Sequence, residues 1–291
     1  MRPTRTLAAT AAGVLALSAL GVGAAQATDH GKGHGGGHGK GQAVVGLTDQ
    51  GKGLVQLTAG KGVRGDQTKA VSGLQGDGKL VGIDHRVQDG KLYGVGDKGG
   101  VYTLDAGSGA ASKVAQLTVG LEGQAFGVDF NPAANALRII SDTGQNLRHP
   151  FANPGAATVA DTPLSSPAAN PPVARTTGVT GAAYTNNDTN DSTGTVLYDI
   201  STSSDQLLLQ SPANAGTLVA VGGLGVDAQG DAGFDVLTEL RDGKAVGAKA
   251  WASLTVGGAQ GLYEVNLVSG SASKVGDLPA GVTDIAIPLA R

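Results

Sequence analysis

The sequence predicts an all-β, propeller-like domain of about five four-stranded blades, with N- and C-terminal strands closing one shared blade. Three observations carry this expectation. A hairpin unit recurs nearly unchanged at two distant points of the chain. A short apolar strand recurs at the spacing of propeller blades, and the composition suits short strands joined by tight turns.

Of 291 residues, 49 are Gly, hydrophobic residues make up 40% and charged residues only 15%. So much Gly with little apolar content would indicate disorder; with this much it indicates many turns, where Gly supplies positive φ. Glu occurs only at Glu122, Glu239 and Glu264, and every other acidic side chain is Asp, which favours turns and strand ends over helices. No apolar i, i+3, i+4 pattern persists for eleven residues between 43 and 291, so helix should be scarce.

The formal charge is -3. A mildly acidic surface excludes nucleic acid and anionic lipid as electrostatic partners. Cys is absent, which removes disulfides, a lipid-anchoring Cys and all thiolate chemistry.

In chain order, residues 1–27 read as a secretory signal peptide. Arg2 and Arg5 form a positive start, Leu7 to Val22 an Ala/Leu-rich apolar stretch, and Ala25-Gln26-Ala27 an A-x-A cleavage site. No later segment is long and apolar enough to span a bilayer. The mature protein is expected to be secreted and extracellular, free of the membrane once the signal is removed.

Residues 28–42, TDHGKGHGGGHGKGQ, have no large apolar side chain to bury and predict a flexible tail. Three His fall here, at His30, His34 and His38. Cleavage after Ala27 would leave the amine of Thr28, two backbone amides and the His30 imidazole able to wrap Cu(II) or Ni(II) in a square-planar nitrogen set. His34 and His38 would add weaker ligands. The alternative is a merely solvated tail.

From residue 43 to 291 the chain reads as hairpins. Gly100 to Leu117, GVYTLDAGSGAASKVAQL, nearly repeats as Gly261 to Leu278, GLYEVNLVSGSASKVGDL. Both alternate apolar and polar residues around a Gly-containing turn. A looser pair starts at Ala136 and Thr195. A short strand precedes each unit: Val81 to Asp84, Phe126 to Asp129, Gly181 to Tyr184, Ala232 to Asp235, and Val282 to Ile285. These recur every 45 to 55 residues or so, the length of a four-stranded blade. The first segment supplies only three strands, Val44 to Leu47, Leu54 to Leu57 and Lys69 to Val71, and the last strand has no blade after it. Joining the two completes a fifth blade. Six blades, a β-sandwich or a solenoid are the alternatives.

The run FGVDFNPAANALRIISDTGQNLR, from Phe126 to Arg148, resembles the signature of the domain-of-unknown-function 4394 family. The segments LYGVGDKGGVYTLDAGSGAASKV, AAYTNNDTNDSTGTVLYDIS and GLYEVNLVSGSASKVGDL are similar to the same family. The resemblance implies a propeller-like β-fold in an exported bacterial protein. It implies no activity and no catalytic residues.

Four of the five recurring strands carry Asp: Asp84, Asp129, Asp235 and Asp284. In a propeller these strands line the central channel. The carboxylates would either form an oxygen-rich site for a hard cation such as Ca²⁺ or accept backbone N–H bonds from an adjacent turn and so fasten one blade to the next. Asp188, Asn190 and Asp199 faintly echo a calcium loop, although Thr193 stands where that loop needs Gly; an Asx-rich turn is the alternative reading. Around the signature hairpin, Arg138, Asp142, Gln145, Asn146 and Arg148 are candidate contacts to a carboxylate or a sugar, or else turn-forming residues.

For catalysis the body offers only His85 and His149, in no local catalytic motif. The sequence therefore predicts a secreted, monomeric, non-enzymatic binding or interaction module for an extracellular protein or glycan. The alternatives are an exported hydrolase or lyase with carboxylates at the channel, and Cu/Ni handling by the tail. Trp251, the only Trp, is expected in the core.

Overall fold

The computed structural model describes residues 41–153, 155–167, 174–188, 190, 193–242 and 244–289. The expected signal peptide, and the tail through residue 40 with His30, His34 and His38, lie outside the described residues. Among the described residues the chain is all β apart from two single 3-10 turns, Asp49–Gly51 and Ala213–Ala215.

Five antiparallel sheets follow one another. The first contains β1 (Gln42–Thr48), β2 (Gly53–Gly60), β3 (Gly62–Gly65) and β4 (Lys69–Ala70). The second is β5 (Leu80–His85), β6 (Leu92–Gly96), β7 (Gly100–Leu104) and β8 (Ala111–Gln116). The third is β9 (Phe126–Asn131), β10 (Ala136–Ser141), β11 (Asn146–Pro150) and β12 (Val159–Ala160). The fourth is β13 (Val179–Tyr184), β14 (Leu197–Ser201), β15 (Gln206–Gln210) and β16 (Leu218–Gly223). The fifth is β17 (Ala228–Arg241), β18 (Lys244–Val256), β19 (Ala259–Val265) and β20 (Ala272–Asp277). A last strand, β21 (Asp284–Ala286), returns to the first sheet and pairs with β1 in the register Val45↔Ala286, Gly46↔Ile285, Leu47↔Asp284. The inner strands β5, β9, β13, β17 and β21 adjoin one another cyclically. This is a five-bladed propeller closed by a shared blade.

The repeated hairpins form for the same local reason. In the β7–β8 turn the Asp105 carboxylate accepts the N–H of Ser108 at 2.8 Å, and Gly109 takes φ +80°. In the β19–β20 turn Asn266 accepts the N–H of Val268 and Ser269 at 2.8 and 3.0 Å, and Gly270 also takes φ +80°. An Asx side chain at the strand end and a Gly in the left-handed region thus set both turns.

Apolar faces of adjacent blades pack together in five clusters, one per seam. Trp251 is buried between the fifth and first blades, as expected, with Val44, Val55 and Leu262. Around the axis the inner strands approach so closely that only Gly fits. A Cβ on Gly127 would lie 2.6 Å from the backbone N of Ala182, and one on Gly233 would lie 2.5 Å from the Cα of Asp284.

Three boundaries differ from the sequence expectation. Gln42, read as tail, already pairs with Ala59 in β2. The outer edge of the first blade is shared: β4 pairs with Gly53 and Leu54, as the Lys69 segment predicted, while the unforeseen β3 pairs with Leu57 to Gly60. β17 and β18 continue well past the blade and pair as far as Arg241↔Lys244.

Candidate functional site

The four Asp of the inner strands point into the seams around the axis, where each fastens one blade to the next. Asp84 Oδ2 accepts the Phe130 N–H at 2.7 Å, and Asp129 Oδ1 accepts the Tyr184 N–H at 3.1 Å. Asp235 Oδ2 accepts the Ile287 N–H at 2.5 Å, and Asp284 Oδ2 accepts the Ile83 N–H at 2.8 Å. Asp84, Asp235 and Asp284 also accept the N–H of the residue that follows them, through Oδ1. An inner strand has no further strand on its channel side, so N–H groups there need acceptors, and a short carboxylate supplies them. In blade 4 the position opposite Tyr198, equivalent to Asp84 opposite Tyr93, is Ala183.

All four carboxyls are buried, at 3 to 6% exposure. Burial pushes the Asp84 and Asp129 carboxyls well above the usual range, and their acidic neighbours push the same way: Asp235 and Asp284 for Asp84, and Asp84, Asp235 and Asp284 for Asp129. Asp284 is raised by burial with smaller contributions from Asp235 and Asp231, and burial raises Asp235 to about 7. Backbone N–H donors oppose each rise. One oxygen from each of Asp84, Asp129 and Asp235 falls within 4.8 Å of the others, a spacing that a hard cation could bridge. Chemically the ring can fasten blades, share protons, or hold such an ion.

At the N-terminal ends of the inner strands lies a cavity of about 160 Å³. Its lining comes from four blades and includes Gln50, Lys79, Gln124, Phe126 and Asp231. The Asp231 carboxyl is raised by burial and by the nearby Asp142, and Lys79 opposes the rise. No sequence motif marked Gln50, Lys79, Gln124 or Asp231. They sit in or beside connections of unequal length, and only the closed ring brings them together.

The candidate contacts of the signature hairpin are mostly internal. Arg138 is 2% exposed. Its guanidinium donates to Tyr184 Oη at 3.3 Å, to Asn146 Oδ1 at 2.8 Å, to Asp161 Oδ2 at 2.7 Å and to Asn214 Oδ1 at 2.7 Å. Arg148 donates from Nε and Nη2 to the same Asp161 at 3.2 Å each. Asn146 is buried, and its amide donates to the Thr162 and Ala213 carbonyls. Gln145 is buried too, holding Glu122 N–H and Gly120 C=O. Arg138, Gln145 and Asn146 are therefore structural ties, not surface contacts: strand pairing turns them into the seam and against the neighbouring loop. Asp142 and Arg148 remain partly exposed. Tyr184, Asp161 and Asn214, all missed in sequence, come from distant segments.

Asp188 and Asn190 do not share a site with Asp199. Asp188 Oδ1 accepts the Asn190 N–H at 3.0 Å, an Asx turn, whereas Asp199 is a fully buried residue of β14. Period-two alternation along β14 carries it inward. His85 is partly buried, and burial lowers it to about 4. His149 Nδ1 lies 3.1 Å from Thr158 Oγ1, and its ring packs edge-on against Phe151. Neither pairs with a carboxylate among the described residues.

No curated protein matches the sequence. Solved structures do, at low identity. An auxiliary nutrient binding protein from Bacteroides thetaiotaomicron VPI-5482 matches with TM-score 0.43 and 12% identity over 81% of this chain and 57% of that one. A protein of unknown function from the same organism matches with TM-score 0.47 and 15% identity over 87% and 66%. An auxiliary nutrient binding protein from Bacteroides ovatus ATCC 8483 gives 0.40 and 8% over 78% and 54%. This chain thus spans less than two thirds of each. A family model, a domain of unknown function (DUF4394), matches residues 53–286, which include all five inner strands with their Asp ring and the signature hairpin, and the chain belongs to that family.

Proposed function

We propose that the protein is a secreted, non-enzymatic binding module that takes a small polar ligand, or a polar group of an extracellular glycan or protein, at the channel mouth. The observation that carries this reading is the cavity at the inner-strand starts, where four blades contribute Lys79, Asp231, Gln50 and Gln124. A cation, an anion and two amides fixed on strand ends and tight turns suit recognition of hydroxyl, carboxyl or amino groups. The buried ring supports binding over catalysis. Its carboxyls already accept backbone N–H groups and all are pushed the same way, whereas an acid–base pair needs two carboxyls in unlike environments. Secretion rests on the A-x-A leader, and no described helix is long and apolar enough to cross a membrane.

The test is a thermal-shift screen of the mature protein against neutral sugars, amino acids and small polyols. Compounds that raise the melting midpoint of the wild type should lose that effect in Lys79→Ala and Asp231→Asn. Equal shifts in both variants, or no shift from any compound, overturn the assignment of the mouth. Turnover of glycosides that disappears in Asp129→Asn would move the protein to the hydrolases.

A cation in the ring is a second reading, favoured by the 4.8 Å approach of the Asp84, Asp129 and Asp235 oxygens.

A further inference from the structure

At the channel mouth two opposite charges share one cavity without touching. Lys79, just ahead of β5, and Asp231, within β17, line the same space of about 160 Å³. Their charged ends lie within electrostatic reach, because Lys79 holds the Asp231 carboxyl down against the rise that burial and Asp142 impose. Yet they form no ion pair, and among the described residues neither charged end has a hydrogen-bond partner. Asp161 and Asp77, half-buried like Asp231, show the contrast. Asp161 meets Arg138 and Arg148, and Asp77 accepts the Lys98 N–H and the Tyr102 hydroxyl.

The backbone is irregular at both positions. β17 breaks its pairing with β18 between Gln229↔Thr255 and Gly233↔Ser253, so Asp231 stands in a bulge. β5 breaks its pairing with β6 between Leu80↔Gly96 and Gly82↔Val95, immediately after Lys79. Bulges re-aim side chains out of the plain alternation of a strand.

The open pair selects a ligand by charge. A simple amine meets Asp231 but is repelled by Lys79. A simple carboxylate meets Lys79 but is repelled by Asp231 and Asp142. A neutral sugar displaces water from both charges and returns no counter-charge to either. A molecule with both signs a short distance apart matches the two together. Gln50 and Gln124 stand exposed on the rim, and their amides have no partner among the described residues. Each amide can donate to a carboxylate and accept from an ammonium. Val81 and Phe126 add an apolar wall. The space equals about five waters at roughly 30 Å³ each, enough for a charged head group and a small side chain.

Resting on the mouth as the binding site, we propose that its ligand is a free α-amino acid in the zwitterionic form, with the carboxylate on Lys79 and the ammonium on Asp231.

Isothermal titration calorimetry of the mature protein at neutral pH tests it. L-alanine is compared with N-acetyl-L-alanine, which lacks the ammonium, and with L-alaninamide, which lacks the carboxylate. L-alanine is expected to bind, and each analogue to bind about tenfold or more weakly. Lys79→Met should abolish the preference for L-alanine over L-alaninamide and keep the preference over N-acetyl-L-alanine. Asp231→Asn should do the reverse. The wild-type series needs no variant, so it decides the matter even where a variant fails to fold. Analogues that bind as tightly as L-alanine, or no binding of L-alanine, glycine or L-serine, overturn the proposal. If a sugar or polyol then still gives a thermal shift that depends on Lys79 and Asp231, the mouth stands as a binding site for another ligand. If no compound acts through these two residues, both readings fall.

Discussion

Stability should fall as pH rises, and Asp235 should be a main reason. Its carboxyl is held at about 7 in the fold against an ordinary 3.8. Above the lower value the unfolded chain gives up the proton while the folded chain keeps it, so unfolding is favoured progressively until pH 7 is passed. The whole displacement corresponds to about 4 kcal/mol at roughly 1.36 kcal/mol per pH unit. Asp84, Asp129, Asp284 and Asp199 are displaced in the same direction. Replacement by Asn removes the titration but leaves an NH₂ facing one of the two N–H groups, of Val236 or Ile287, that Asp235 now receives. That mismatch costs about 1–3 kcal/mol at every pH. The expectation is a crossing. Asp235→Asn is the less stable protein near pH 4, and its deficit shrinks or reverses near pH 8. Urea unfolding midpoints of both proteins across that range measure it. A wild type that gains stability with rising pH, or a gap between the two proteins that stays constant, refutes the reasoning.

Arg138→Met should destabilise the fold by about 3–5 kcal/mol, because the Asp161 carboxylate is left buried beside a partly exposed Arg148; denaturant unfolding reads the loss. If the ring acts only as a fastener, adding Ca²⁺ leaves the melting midpoint unchanged, whereas a concentration-dependent rise that vanishes in Asp129→Asn places an ion on the three oxygens. For the tail, Cu(II) titration of the mature chain should give a visible d–d band that is absent in His30→Ala; no His30-dependent band removes that site.

The blade count was legible because the repeat is written in local chemistry. The turn devices at Asp105–Gly109 and Asn266–Gly270 are sequence-adjacent, and period-two alternation marks the strands around them. The Asp of the inner strands were legible for the same reason, as was their fastening role, although the acceptor bonds reach the next blade's strand and not a turn. The seam chemistry was not. Arg138 draws on Tyr184 and Asn214, 46 and 76 residues away, and nothing in the signature hairpin announces them. β3 escaped because Gly62 and Gly65 bound a four-residue strand that reads as a turn, and it gains its identity only from pairing with Leu57 to Gly60. The channel mouth escaped for the most general reason: its residues share no motif and meet only when the ring closes.

That closure imposes an order of events on the molecule. Thr283 reaches back 236 residues to the Leu47 carbonyl, so the domain's opening strand has no companion on its axial edge until the final segment has been made. During synthesis the ring stays a fan with one rib missing. The entropic cost of joining such remote segments is met in a single late step.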